Sequence, residues 1–190
     1  MELIKCGWAK KPLDIEYHDK EWGVPVHDDT KLFEYLVLDA FQAGLSWSTI
    51  LNKRENFRKA FDNFDSIKIS NYKQEKIDEL IQDKSIVRNK LKINGTVKNA
   101  KAFIKVQQEF GSFDKYIWSF TGGKTIVNNW KELNETPATS VESDAMSKDL
   151  KKRGFTFVGS TICYAFMQAA GIVNDHLISC FRYKEVGNDK

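Results

Sequence analysis

Residues 154–180 read GFTFVGSTICYAFMQAAGIVNDHLISC, and the reading of the whole chain works outward from this stretch. Gly154 and Gly159 mark a tight turn, because a residue without Cβ tolerates backbone angles and close approaches that other residues resist. A helix is expected next, with Ile162, Ala165, Phe166, Ala169 and Ala170 on one face at helical spacing. Gly171 suits the left-handed position that closes a helix. After a turn at 172–174, a short helix is expected to carry His176 and Cys180 on one side. The stretch therefore offers two chemistries. Backbone amides at a helix start attract phosphate, and a His-x3-Cys pair supplies half of a metal site.

The other half is sought at the N-terminus. MELIKCGWAKKPLDIEYHDKEWGVPVHDDT is dense in Cys, Trp, Tyr and His and shows no helical period. Such a segment is costly to order unless something ties it down. Cys6 and His18 would complete a Cys2His2 set with His176 and Cys180. The spacing is unlike a zinc finger, so two readings stand: a metal centre, or two buried thiols behaving as small hydrophobes beside two hydrogen-bonded histidines. His27 is the substitute ligand if His18 is not one.

Asp28, Asp29 or Thr30 can cap a helix running to about residue 43. Leu32, Leu36, Ala40 and Ala43 form its apolar face, widened by Phe33 and Val37. Asp39 falls on that face, where a carboxylate must find a partner, reach water at the edge, or serve a function. Gly44 stops the helix and Ser46 can cap the next, 47–61, with Ile50, Leu51, Phe57 and Phe61 inward. Leu45 at the loop tip and Trp47 beside it fit packing across the helix pair, or a wedge and stacking surface for nucleic acid. Further helices are expected at 72–82 and 89–109, with a short one after Ser112. The stretch 122–140 reads as irregular, with TIV at 125–127 strand-like but no sheet expected. A helix from Ser143 ends in the basic run KDLKKR, either a solvated face or a phosphate contact. Cys163 reads as a buried core thiol.

Composition bounds the class. The 190 residues are 42% hydrophobic and 29% charged, which suits an all-α fold in one unit spanning 1–190, with room for two helical lobes around a cleft. No apolar run is long enough to span a bilayer and no signal-peptide core is present, so the expected location is the cytoplasm, with no membrane partner. Three cysteines do not make a disulfide framework. A net charge of +3 permits a nucleic-acid partner and excludes a coating, non-specific binder.

Taken together, CGW at 6–8, YHDKEWGVP at 17–25, QAGLSW at 42–47, LKKRGFTFVGSTICYAFMQAAG at 150–171 and VNDH at 173–176 resemble the 3-methyladenine DNA glycosylase I family. The resemblance runs from end to end and implies the all-helical fold of the helix-hairpin-helix glycosylase superfamily. It implies one structural zinc joining the termini, held by Cys6, His18, His176 and Cys180. It implies that Phe157, Val158, Gly159, Ser160 and Thr161 grip DNA phosphates, and that the loop with Gly44 and Leu45 fills the gap left by an extruded nucleotide. Tyr17 and Trp47 would line the base pocket, with Trp8 and Trp22 nearby. The implied activity is monofunctional hydrolysis of the N-glycosidic bond of 3-methyladenine in double-stranded alkylated DNA, leaving an abasic site; a monomer is the default expectation for the chain.

Asp39 is the candidate base-binding and catalytic carboxylate. The family commonly has Glu there, one methylene longer. Asn174 stands where many relatives in the wider superfamily carry a catalytic Asp, which would confine the enzyme to bases that leave easily. Asp175, its neighbour, is expected to cap the short helix or orient a metal ligand.

Overall fold

Helix α2 is the axle of the fold, and its sequence explains why. From Leu32 to Phe41 every residue is buried, as expected of a helix enclosed by others on all sides. In the computed structural model, which describes residues 3–186, the helices in chain order are α1 (Pro12–Lys20), α2 (Asp29–Gln42), α3 (Trp47–Ala60), α4 (Ser66–Ser70), α5 (Gln74–Gln82), α6 (Lys90–Phe110), α7 (Phe113–Trp118), α8 (Val141–Lys152), α9 (Ser160–Ala169) and α10 (Arg182–Val186). Around α2 pack α3, α6, α7 and α9, while α4 and α5 lie on α6 and α8 lies on α9. Asp28 caps α2 by accepting the Lys31 amide at 2.8 Å, and Ser46 caps α3 through the Thr49 amide at 3.2 Å. Ser112 caps α7 in the same way through the Lys115 amide.

The departures from the sequence reading have physical causes. The N-terminal segment does contain a helix, α1, although it lacks an apolar stripe. Its buried residues are Asp14, Tyr17 and His18, so the face turned inward is polar and aromatic and leaves no hydrophobic period. Helix α8 begins at Val141, because Ser140 is the cap and Ser143 its reciprocal partner in a capping box. The buried residues of α9 are Cys163, Tyr164, Phe166, Met167 and Ala169, followed by the buried cap Ala170, while Ile162 and Ala165 are only half-buried. The short helix expected to hold His176 and Cys180 is instead a turn. Asn174 Oδ1 accepts the His176 amide at 3.1 Å, a local side-chain bond that competes with helix formation, and helix resumes only at α10. The strand-like TIV does pair: β1 (Ile126–Val127) runs parallel to β2 (Val173–Asn174), a two-residue ladder.

The N-terminal segment crosses the end of α9. The Gly23 amide donates to Gln168 O and the Val26 amide to Ala170 O, both at 3.0 Å. Gly171 lies beneath this crossing with φ +69°, and a Cβ on it would sit 2.3 Å from the backbone of Val24 and Pro25. Gly171→Ala is therefore expected to cost about 3 kcal/mol or more, from a left-handed backbone and a clash that backbone cannot relieve cheaply. The corresponding fall in Tm is roughly 6–12 °C, and a thermal melt indistinguishable from the wild type would contradict the close packing. Among the described residues no helix is long and apolar enough to cross a membrane.

Candidate active site

A cavity of about 430 Å³ opens where α1, α2, α3 and α9 meet. Tyr17, Trp8, Trp22 and Trp47 supply its rings, Asp39 and Gln42 come from α2, and Ala165, Gln168 and Ala169 come from α9. Leu133 and Thr136 of the irregular stretch close one side, and Asp175 stands at the edge. The four aromatic residues named from sequence thus share one cavity with Asp39, although they are spread across 40 residues of chain.

Two carboxylates are buried on α2, and their treatment differs. Glu34 is neutralised by Arg54 Nε at 2.6 Å and Arg58 Nη2 at 2.7 Å. Arg54 also holds Glu21 with a two-pronged contact, both bonds 2.9 Å. Burial opposes ionisation of Glu21, but the Arg54 guanidinium outweighs it and keeps that carboxyl down at about 2. Asp39 has no such help. It is 2% exposed, and among the described residues no donor reaches its Oδ2. Burial alone pushes its carboxyl well above the usual range, because nothing charged stands beside it to offset the desolvation. A second orphan belongs to another residue of the lining: Trp47 Nε1 is buried and finds no acceptor among the described residues. Native structures seldom leave such atoms unpaired, so two on residues lining one cavity mark it as built for a ligand with both donor and acceptor edges.

The rings are arranged as a corner rather than a slot. Tyr17 and Trp47 have centroids 5.2 Å apart at 50°, which places them in contact, whereas a base between two rings needs them parallel and two stacking distances apart. Trp8 packs on Tyr17 at 6.4 Å and on Trp22 at 5.0 Å, so the aromatic wall is continuous. Burial also keeps the Tyr17 phenol well above its ordinary range and hence neutral.

Behind that wall lie the Cys and His residues. Cys6, His18, His176 and Cys180 are all buried, with their donor atoms within 4.8 Å of one another. The sulfur–nitrogen separations are 3.4 Å (Cys180 to His18), 3.6 Å (Cys180 to His176) and 3.6 Å (Cys6 to His176). A tetrahedron with ordinary zinc–sulfur and zinc–nitrogen bonds has such edges at about 3.5 Å, so these three separations match a metal centre and the donor set could hold an ion. The outer nitrogens are also held. His18 Nδ1 meets Asp19 Oδ1 at 2.8 Å and His176 Nε2 meets Trp22 O at 3.0 Å, the outer support that ligating histidines require. Cys180 is drawn toward thiolate, first by a hydrogen bond from Cys6 and then by the two histidines. The Trp22 ring packs edge-on against His176 at 4.6 Å, so this cluster and the aromatic cavity share a wall.

Some residues fall elsewhere than expected. His27 is exposed, paired with Asp114 at 2.7 Å and stacked on Trp118, and is not among the clustered donors. Asp175 neither caps a helix nor touches a histidine ring nitrogen. Its carboxylate accepts from Tyr164 Oη, Gln168 Nε2, Trp130 Nε1 and Asn128 Nδ2, all at 2.7–2.8 Å. It ties α9 to the irregular stretch beside the cavity. Asp19 does the supporting work foreseen for Asp175, and its place after His18 in sequence was the available signal. Asn174 is fully buried, with its amide spent on Tyr183 O and the His176 amide. Cys163 is a core thiol, as read from sequence, and burial pushes it up to about 12.

At the mouth, Leu45 is exposed at the tip of the α2–α3 loop and Gly44 has φ +84°. Across from α6, the turn 153–159 joins α8 to α9. Gly159 caps α9 without a side chain, which leaves the first amides of α9 open to an outside acceptor. Ser160 is half-buried and Thr161 exposed, while Val158 is buried with Phe157 at φ +58°.

A helical fold that surrounds an aromatic cavity with an unpaired carboxylate, and keeps an open helix N-terminus and an apolar loop tip outside it, belongs to the class of DNA glycosylases, which extract a flat base and grip the strand. Comparison with known proteins narrows the class: the methyladenine glycosylase family profile matches residues 8–183, and the chain belongs to that family. It is 48% identical to DNA-3-methyladenine glycosylase 1 of Escherichia coli K12 over 182 residues, covering 95% of this chain and 97% of that one. A crystal structure of 3-methyladenine DNA glycosylase I superposes with a TM-score of 0.91 at 47% identity, covering 94% of this chain and 98% of the other. A tyrosine-to-phenylalanine variant of 3-methyladenine DNA glycosylase I, crystallised with 3-methyladenine, superposes equally well at 0.91 and 33% identity, covering 97% and 98%.

Proposed function

We propose that this chain is a monofunctional DNA glycosylase that hydrolyses the N-glycosidic bond of 3-methyladenine in double-stranded alkylated DNA, as a single-domain monomer, in base excision repair in the cytoplasm. The observation that carries this reading is the pair of orphaned groups, Asp39 Oδ2 and Trp47 Nε1, on two residues that line a cavity walled by rings.

The chemistry follows from what the cavity contains and what it lacks. Alkylation at N3 makes the adenine cationic, so the bond to the sugar is weakened before the enzyme acts and the base departs readily. Aromatic faces of Tyr17, Trp47 and Trp8 favour a flat cation over a neutral base. Asp39 accepts the amino hydrogens of the base, and a base without that donor pattern leaves the buried carboxylate unpaired and is rejected. Water then attacks the sugar carbon as the base leaves. Asn174 offers no charge to the developing cation, which limits turnover to bases that are already good leaving groups. Among the described residues no lysine lines the cavity, so neither a Schiff base nor strand cleavage is expected.

Outside the cavity, Leu45 fills the vacated stack, with Gly44 allowing the loop its bend. The amides from Phe157 to Thr161, in a helix-hairpin-helix arrangement, hold the phosphates. Zinc suits Cys6, His18, His176 and Cys180, and four protein ligands make it structural, since no position is left for a catalytic water. Purified protein incubated with alkylated duplex DNA should release 3-methyladenine and little 7-methylguanine. Equal release of both purines would defeat the selectivity assigned to Asp39.

A further inference from the structure

Helix α6 carries on one face of its first half the residues Lys92, Gly95, Thr96 and Asn99, at helical spacing. All are buried, and two of them reach the loops that border the DNA side of the cavity. Lys92 Nζ donates to Phe41 O at 2.9 Å and to Ala43 O at 2.7 Å, the last carbonyls of α2, directly before Gly44 and Leu45. Its ammonium thus satisfies carbonyls left open where a helix ends, and lies at the negative end of the α2 dipole. Burial lowers the Lys92 ammonium from its ordinary range, so its placement carries a cost that the carbonyl contacts offset.

Two turns along, Asn99 Oδ1 accepts the Thr156 amide at 2.8 Å and Asn99 Nδ2 donates to Thr156 O at 3.0 Å, a two-point clasp on the backbone of the α8–α9 turn. Between the two, Gly95 makes room for the next residue of that turn. A Cβ at Gly95 would lie 2.9 Å from the Phe157 ring, and Phe157 holds a left-handed φ of +58°. One rigid helix face, roughly 10 Å from Lys92 to Asn99, therefore anchors both the apolar-tipped loop and the turn before the open amides of α9.

We infer that the first half of α6 is a ruler that sets the separation between the loop carrying Leu45 and the phosphate-binding turn, with Lys92 and Asn99 as positioning residues for base extrusion from duplex DNA. This rests on the glycosylase reading above. Neither residue lines the cavity, so a base already free needs no ruler. A base in a duplex does, because the wedge must enter the stack while the turn holds the backbone, and an error of about 1 Å in such positioning can cost on the order of 100-fold.

The test compares the wild type with Lys92→Met, Asn99→Ala and Gly95→Ala, measuring affinity for free 3-methyladenine and single-turnover release of that base from an alkylated duplex. Free-base affinity within about 2-fold of the wild type, with duplex release slowed about 10- to 100-fold, is expected for each variant. Asn99→Ala and Gly95→Ala should chiefly weaken duplex affinity, and Lys92→Met should chiefly lower the rate at saturating enzyme. Release at the wild-type rate by Lys92→Met and Asn99→Ala would overturn the inference. So would a parallel loss of free-base affinity in these variants, since that would mean a general loosening of the fold. Absence of release by the wild type itself would be a different failure, bringing down the glycosylase reading and this inference with it.

Discussion

Asp39→Asn is expected to weaken binding of 3-methyladenine by about 100-fold or more while leaving the fold at least as stable as before. The two effects have one origin. In the empty cavity Asp39 is a buried acid with an unpaired oxygen, a liability to folding. In the proposed complex the same carboxylate would meet the amino edge of a base and the positive charge that alkylation put there. Hydrogen bonds to charged groups contribute about 1.5–3 kcal/mol, and an amide nitrogen placed against an amino group adds a donor–donor conflict.

The pH dependence separates this account from a merely structural one. Burial raises the folded-state pKa of Asp39, so between the ordinary carboxylate range near about 4 and that raised value the folded protein holds a proton that the unfolded chain has lost. Stability contributed by this residue is therefore greatest below that window and falls as pH rises through it. Asn does not titrate, so the stability advantage of Asp39→Asn should grow between pH 5 and pH 7.5. Urea melts at the two pH values and calorimetric titration with 3-methyladenine measure both halves. Unchanged base affinity would remove Asp39 from the pocket. Asp39→Glu tests reach: the added methylene should keep the carboxylate on the base edge and retain most of the affinity.

The second large effect concerns the metal cluster. Removing the ion with a chelator, or replacing Cys180 with Ser, should lower the Tm by roughly 10–20 °C, corresponding to a loss of about 5 kcal/mol. An ion held by the donors at positions 6, 18, 176 and 180 would close a loop of nearly the whole chain, reinforced by the Phe181 amide on Ile4 O at 2.9 Å. Its loss exposes buried thiol and imidazole groups that then lack partners. Base binding should weaken as well, because Trp22 packs on His176 and Trp8 packs on His18, and both tryptophans wall the cavity. Elemental analysis should find one zinc per chain in the untreated protein. No bound metal together with an unaltered melting curve would refute this.

What could be read along the chain was whatever nearby residues decide among themselves. The caps at Asp28, Ser46 and Ser112, the stop at Gly44, the apolar face that carries Asp39 and the closing role of Gly171 all rest on contacts spanning a few residues. Helix α1 escaped notice because its inward face is Asp14, Tyr17 and His18, which a search for apolar periodicity passes over. The turn at His176 was likewise hidden, since a single bond from Asn174 outweighs a helical tendency that the spacing alone suggested. The residue pattern already offered the four candidate ligands and resemblance to a family supplied the pocket residues, but neither gave their partners.

Those partners belong to the tertiary structure. Glu34 and Asp39 sit on one buried helix five residues apart, and nothing in their local sequence says that two arginines from α3 neutralise the first and leave the second alone. Asp175 acquires four donors from two separate stretches, and Lys92 meets carbonyls some 50 residues away. Helix ends and turns are settled by short-range sterics and hydrogen bonds, which the sequence carries by itself. Whether a buried charge is paired depends on which distant chain the fold brings beside it, and only the assembled structure decides that.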